Sequence, residues 1–306
     1  MEKQKKYQKA LNTISGIHHI TMLCESPEDN VVFYREVLGL KLVKQTVNFD
    51  DPFTYHLYYG DDKGSPGTLL TFFPYQGIGA GRHGNNEIRK LGFAISPESY
   101  TFWKERLEKK SIAIDTFTRF GNKTISFSDN AGLEIELVVT KSTLPSAPLL
   151  KEHAIKGLYS IQLYVPKKDA VESLLKEFSY THEKSEENIH RYKAQNQDSY
   201  VDIVENNEAP HVPGAGTVHH LAFQVPDNEQ KHVQKELHIL GYNATEIVDR
   251  EYFQSIYFRT HEMLLFEIAT TGPGMFIDEK ELGSELRVPK QHTDIAQEIK
   301  KRLHTL

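Results

Sequence analysis

Cysteine is nearly absent from this 306-residue sequence. Cys24 stands alone, which excludes an intrachain disulfide and fits a reducing compartment, so a cytoplasmic protein is expected. No apolar run approaches the roughly 18 residues needed to span a bilayer as a helix. The opening Met1-Glu2-Lys3-Gln4-Lys5-Lys6-Tyr7 lacks the apolar segment of a secretory leader. An excess of basic residues is also missing: 36 Lys and Arg face 42 Asp and Glu, a net charge of −6. Neither nucleic acid nor an anionic membrane is therefore an expected partner. What remains, 39% hydrophobic and 25% charged residues, is the balance of an ordinary globular chain. The length accommodates two domains of about 150 residues, each able to bury a core.

The chain repeats itself. Module one opens with a strand at Ile17–Cys24, and Ser26-Pro27-Glu28-Asp29 supplies an N-cap, a proline at the first helical position and early carboxylates. The helix should run to about Leu38, ended by Gly39, followed by strands at Lys41–Asn48, Phe53–Tyr59 and Thr68–Phe73. Module two repeats the order: strand Ile88–Ile95, a helix from Ser96-Pro97-Glu98 to about Lys109, and strands Ala113–Arg119, Lys123–Ser128 and Leu133–Val139. After a linker at Pro145–His153, module three has a strand at Leu158–Val165, a helix at Lys168–Phe178 and shorter polar strands ending at Tyr200–Val204, with Thr181–Asn188 showing no clear period. Module four has a strand at Val218–Val225, a helix announced by Asp227 and Gln230 in capping-box spacing, and strands Thr245–Val248, Tyr252–Arg259 and Met263–Ala269. A tail follows Gly272, with a helix expected at Thr293–Leu303. The expected fold is α+β, four βαβββ modules in two domains: residues 15–145, residues 153–272, then a tail at 273–306.

Successive side chains of a strand point to opposite faces. Alternation places His19 with Thr21 and Leu23, His220 with Ala222 and Gln224, and Glu267 between Leu265 and Ala269, all on the less apolar faces of their strands. Aligning the modules, which recur at a spacing of about 60–70 residues, puts His19, Lys90, Ser160 and His220 at one equivalent position, and Thr71, Glu136, Asp202 and Glu267 at another. Modules one and two would offer a charged lysine, and modules three and four only one imidazole. Modules one and four offer His19, His220 and Glu267, the two-histidine, one-carboxylate set suited to a divalent iron with open positions. The same alternation points His18 and His219 away from that set.

The order of elements, with metal-ligand residues on first and last strands, resembles the vicinal oxygen chelate superfamily over roughly residues 15–272. More narrowly, His18-His19-Ile20-Thr21, the run Asp51–Asp61, Gly67–Pro74 and His219-His220-Leu221-Ala222-Phe223 resemble the hydroquinone ring-cleaving dioxygenases, including those associated with methylhydroquinone resistance. The resemblance implies an Fe(2+) cofactor on His19, His220 and Glu267. It also implies that His18, Thr21, His219, Arg250 and Tyr257 surround that ligand set as catalytic residues. Arg250 would stabilise negative charge on substrate oxygens. Tyr257 and a histidine would relay protons. The implied partners are a small aromatic diol and dioxygen, and a homo-oligomer is compatible with the sequence.

Three function classes stay open. A dioxygenase is the first. The second is a glyoxalase-like isomerase or lyase, which usually completes its site with a further carboxylate where this chain has Thr71. The third is a non-catalytic module that binds an aromatic toxin. His56, in the third strand of module one, reads equally as pocket lining or as a structural histidine. His83 lies in Gly81-Arg82-His83-Gly84, which reads as a mobile flap.

Overall fold

The computed structural model describes residues 10–306. Its strands are β1 Ile17–Cys24, β2 Lys41–Val47, β3 Tyr55–Gly60, β4 Leu69–Pro74, β5 Glu87–Ile95, β6 Asp115–Arg119, β7 Asn122–Ser128, β8 Glu134–Val139, β9 Lys156–Val165, β10 Tyr180–Glu186, β11 Ile189–Ala194, β12 Tyr200–Glu205, β13 Val218–Val225, β14 Val248–Asp249, β15 Gln254–Arg259 and β16 Leu265–Thr270. They form two eight-stranded sheets. One is ordered β14-β15-β16-β13-β1-β4-β3-β2 and the other β10-β11-β12-β9-β5-β8-β7-β6. Modules one and four thus share a sheet, as do modules two and three. Within a module the closing strand runs parallel beside the opening strand, as β4 does beside β1 and β16 beside β13. The two opening strands meet antiparallel at the centre, β1 against β13 and β5 against β9. The β1–β13 pairing brings residues some two hundred positions apart side by side.

Local chemistry accounts for the connections. Ser26 caps the helix Pro27–Val32 by accepting from the Asp29 amide at 3.1 Å, an arrangement worth about 1 kcal/mol, and the helix continues as a π-helical turn over Phe33–Val37. In the helix Asp169–Glu177, Val171, Leu174 and Leu175 are buried at helical spacing. The stretch without a clear period is a hairpin arm: β10 is an edge strand whose residues after Tyr180 are all exposed, so neither face carries an apolar signal.

Two expectations are corrected. Asp227 does not cap the last module's helix, which begins at Gln230. Its carboxylate instead accepts from the amides of Thr271 and Gly272 at 3.1 and 3.2 Å, while the Gln230 side chain donates to the carbonyls of Gln254 and Ile268. The strand expected at Thr245–Val248 contracts to Val248–Asp249, because only these two residues pair with Ser255 and Gln254. The tail covers the edge strand β2. Lys44, fully buried, reaches Asp278 and Glu279, each at 2.7 Å, and Tyr55 donates to the His304 carbonyl. The expected tail helix is a 3-10 stretch Lys290–Ile295 followed by an α-helix Ala296–Arg302. Among the described residues no helix is long and apolar enough to cross a membrane.

Candidate metal centre

The central pair of strands carries the two histidine doublets. In each doublet one histidine is the extra residue of a β-bulge. On β1 the register with β13 shifts between Ile17 and His19, and on β13 it shifts between His220 and Val218. His18 and His219 are therefore unpaired insertions, and a bulge re-aims side chains that strict alternation would place on opposite faces. Both doublets close in the same way: His18 Nδ1 lies 2.8 Å from His19 Nδ1, and His219 Nδ1 lies 2.8 Å from His220 Nδ1. One proton must sit between the nitrogens of each pair, since two lone pairs at that distance would repel.

The Nε2 atoms converge. His19 Nε2 and His220 Nε2 stand 3.2 Å apart, and Glu267 Oε2 is 3.3 Å from the first and 2.9 Å from the second. One ligand-type atom from each of the three residues lies within 4.8 Å of the others, and all three residues are buried. Glu267 Oε1 accepts from the Ser255 hydroxyl, whereas Oε2 has no hydrogen-bond partner among the described residues. An orphaned, fully buried carboxylate oxygen is costly, and two imidazole nitrogens with one carboxylate oxygen form a donor set for a divalent transition metal. The residues present fit such an ion.

Burial works against the Glu267 charge, but a proton on the His19 or His220 ring outweighs it and holds the carboxyl well below the usual range. Burial, reinforced by His19, lowers His18 to about 3. His219 is lowered by desolvation and by His220 while it still faces open solvent at the cavity. His220 is lowered chiefly by burial. Neutral imidazoles are the state that metal binding requires.

A cavity of about 420 Å³ opens over this cluster, lined among others by His219, Arg250, Tyr257, Phe253 and His56. Arg250 Nε donates to Tyr257 Oη at 3.1 Å and its Nη2 reaches Asp50 at 3.0 Å. Burial lowers the Arg250 pKa, but Tyr257 and Asp50 outweigh it and keep the guanidinium charged; burial raises the Tyr257 phenol. Thr21 lies beneath the cluster with its Oγ1 2.8 Å from His220 Nε2 and 2.7 Å from Thr71 Oγ1. His18 packs on Phe253 behind the ligand set and does not line the cavity. His83 stands apart: it bonds Glu87 and the Gly132 carbonyl, and its loop, expected as a flap, pairs with the chain at Val212 and Ala215.

Sequence reasoning gave no role to Asp50, Phe253 or Ser255. Ser255 was accessible, because it shares a strand face with Tyr257, but Asp50 sits in a turn without periodicity. A larger groove of about 860 Å³ between the first helix and the tail carries Glu25, Glu28 and Asp29 but, among the described residues, no converging ligand atoms. In the other sheet the equivalent positions are neutralised by cations. Glu136 pairs with Arg119 and Lys90, and Asp202 receives a two-pronged contact from Arg191 at 2.8 and 2.7 Å.

The chain is similar to known proteins over nearly its whole length. The chain is 41% identical over 302 residues to the Bacillus subtilis (strain 168) protein named "Putative ring-cleaving dioxygenase MhqE", covering 93% of this chain and 99% of that one. It is 31% identical to the chlorohydroquinone/hydroquinone 1,2-dioxygenase of Sphingobium indicum, covering 94% and 95%. A crystal structure of a protein titled "putative dioxygenase" from Bacillus subtilis superposes with a TM-score of 0.92 at 36% identity, over 95% of this chain and 97% of that one. Glyoxalase I from Zea mays, 12% identical with a TM-score of 0.65 over 95% and 97%, shares the fold. The profile of the Glyoxalase/Bleomycin resistance protein/Dioxygenase superfamily matches residues 16–268, and the chain belongs to that superfamily.

Proposed function

We propose that this protein is an iron(II)-dependent ring-cleaving dioxygenase acting on hydroquinone-type aromatics, in detoxification or degradation of such compounds. The observation that carries the reading is the buried set of His19, His220 and Glu267, two imidazoles and one carboxylate, beneath a cavity with a guanidinium at its wall. The names of the relatives at 41% and 31% identity support the same class of reaction. Ferrous iron held by His19, His220 and Glu267 would supply Lewis-acid and redox chemistry for a phenol and dioxygen. The chain's own residues hold and orient the substrate. His19 and His220 present Nε2, and Glu267 presents Oε2. Arg250, held by Asp50 and Tyr257, stabilises negative charge on substrate oxygens. The Tyr257 hydroxyl and the cavity-facing His219 are placed to hold or hand on a proton, and Phe253 and Phe73 keep the cavity wall apolar.

Thr71 stands where an isomerase of the glyoxalase kind usually carries a further carboxylate, and it bonds Thr21 and His56 rather than the ligand set. The test is oxygen uptake by anaerobically purified, iron-loaded protein given hydroquinones, with catechol beside them and ultraviolet spectra of the product. Uptake with hydroquinone and a ring-opened product is the expected result. No uptake with any hydroquinone or catechol at verified ferrous occupancy overturns the reading, and turnover of a methylglyoxal–thiol adduct would replace it with the isomerase.

A further inference from the structure

His56 lines the cavity from β3, outside the ligand set, and is joined to it by a continuous line of hydrogen bonds. Tyr58 Oη lies 2.9 Å from His56 Nδ1, His56 Nε2 lies 3.0 Å from Thr71 Oγ1, Thr71 Oγ1 lies 2.7 Å from Thr21 Oγ1, and Thr21 Oγ1 lies 2.8 Å from His220 Nε2. Tyr58, Thr71 and Thr21 are fully buried and His56 nearly so. A buried chain of this kind has two directions, and every member must turn together. Two facts select one. Among the described residues the Tyr58 hydroxyl has His56 as its sole partner, so it donates; as an acceptor it would leave its own proton buried and unpaired. At the other end, His220 Nε2 must offer a lone pair to act as a ligand, so it accepts.

We propose that His56 is a positioning residue for the reaction: held as the Nε2–H tautomer by Tyr58, it orients the Thr71 and Thr21 hydroxyls so that Thr21 presents a donor at the ligand face. With the His220 lone pair committed to a metal, the Thr21 proton serves an acceptor beside it, a substrate or water oxygen. The chain thereby favours an anionic oxygen at that position. This rests on the dioxygenase reading for its catalytic consequence, but the Tyr58 end of the chain sets its direction without a metal. Burial lowers the His56 pKa well below the ordinary value and raises the Tyr58 phenol well above it, so both keep the neutral forms the chain needs.

The first test uses metal-free protein labelled with nitrogen-15 in histidine. Ring-nitrogen shifts should show His56 protonated at Nε2, and Tyr58→Phe should mix the two tautomers. A His56 protonated at Nδ1, or a tautomer unchanged by Tyr58→Phe, overturns the proposal, and neither result depends on turnover. The second test compares His56→Gln, whose amide nitrogen can replace the Nε2 donor, with His56→Leu, both at measured wild-type metal content. His56→Leu should lower kcat about tenfold or more with a smaller change in KM, and His56→Gln should restore most of it. Equal kcat in both variants and wild type contradicts the positioning role. Absence of turnover in wild type removes the dioxygenase reading while the tautomer still decides the chain.

Discussion

His219 Nδ1 and His220 Nδ1 share a single proton across 2.8 Å, and the bulge at His219 makes that contact. For His220 to offer Nε2 as a ligand the proton must be on its own Nδ1, with His219 as acceptor. The same holds for His19 and His18. Partners that fix ligand tautomers are worth about 10–100-fold in metal affinity. His18→Leu and His219→Leu should each weaken ferrous or zinc binding by about that factor, measured by competition with a chelator. Unchanged affinity in both would contradict the tautomer assignment.

Acid should weaken the metal-free fold before the carboxylates titrate. His18 is held neutral down to about pH 3 by burial, against an ordinary value of 6.5. Between those values the unfolded chain binds a proton at this position and the folded one does not. Its contribution is fully present above pH 6.5 and is lost as pH falls toward 3. The slope is about 1.4 kcal/mol per pH unit for each such proton. His18→Asn should flatten the dependence of the urea midpoint between pH 6.5 and pH 5. A variant with the wild-type slope would contradict it.

Arg250 tests the cavity wall apart from the ligands. It hydrogen-bonds Tyr257 and Asp50 and, among the described residues, none of the three ligand residues. Arg250→Ala should retain wild-type iron content while kcat/KM falls about a hundredfold. Parallel loss of iron and activity would make its role structural.

The tail is predicted to be part of the folded unit. Lys44 is fully buried between Tyr252, Asp278 and Glu279, and the Glu279 side chain is likewise fully buried. Lys44→Ala leaves that carboxylate without its partner and should destabilise the protein by about 3–5 kcal/mol in urea unfolding. A loss below about 1 kcal/mol would mean that the tail can leave β2 freely.

The opening and closing strands of modules one, two and four were legible as apolar runs ended by turn residues, because nearly all of their side chains are buried on both faces. The β10 arm was not, since an edge strand exposed on both faces carries no such run. The association of module one with module four was readable only through ligand chemistry: Lys90 in place of a histidine excludes the neighbouring pair. The aim of His18 and His219 was hidden, because a bulge is a property of the register between β1 and β13 and leaves no mark within either strand. Asp50 and His56 were obscure for a related reason. Their partners Arg250 and Thr71 are set by the assembled sheet.

If His19, His220 and Glu267 hold ferrous iron and the protein cleaves hydroquinone with dioxygen, both oxygen atoms should enter the ring-opened product. Iron-loaded protein should be supplied with hydroquinone under oxygen-18 gas and the ring-opened product analysed by mass spectrometry, with Glu267→Ala carried through the same iron loading. On this reading the wild type should incorporate both oxygen atoms and consume one dioxygen per ring opened, and Glu267→Ala should show neither iron retention nor product. A product without label, or full iron content and activity in Glu267→Ala, would contradict it.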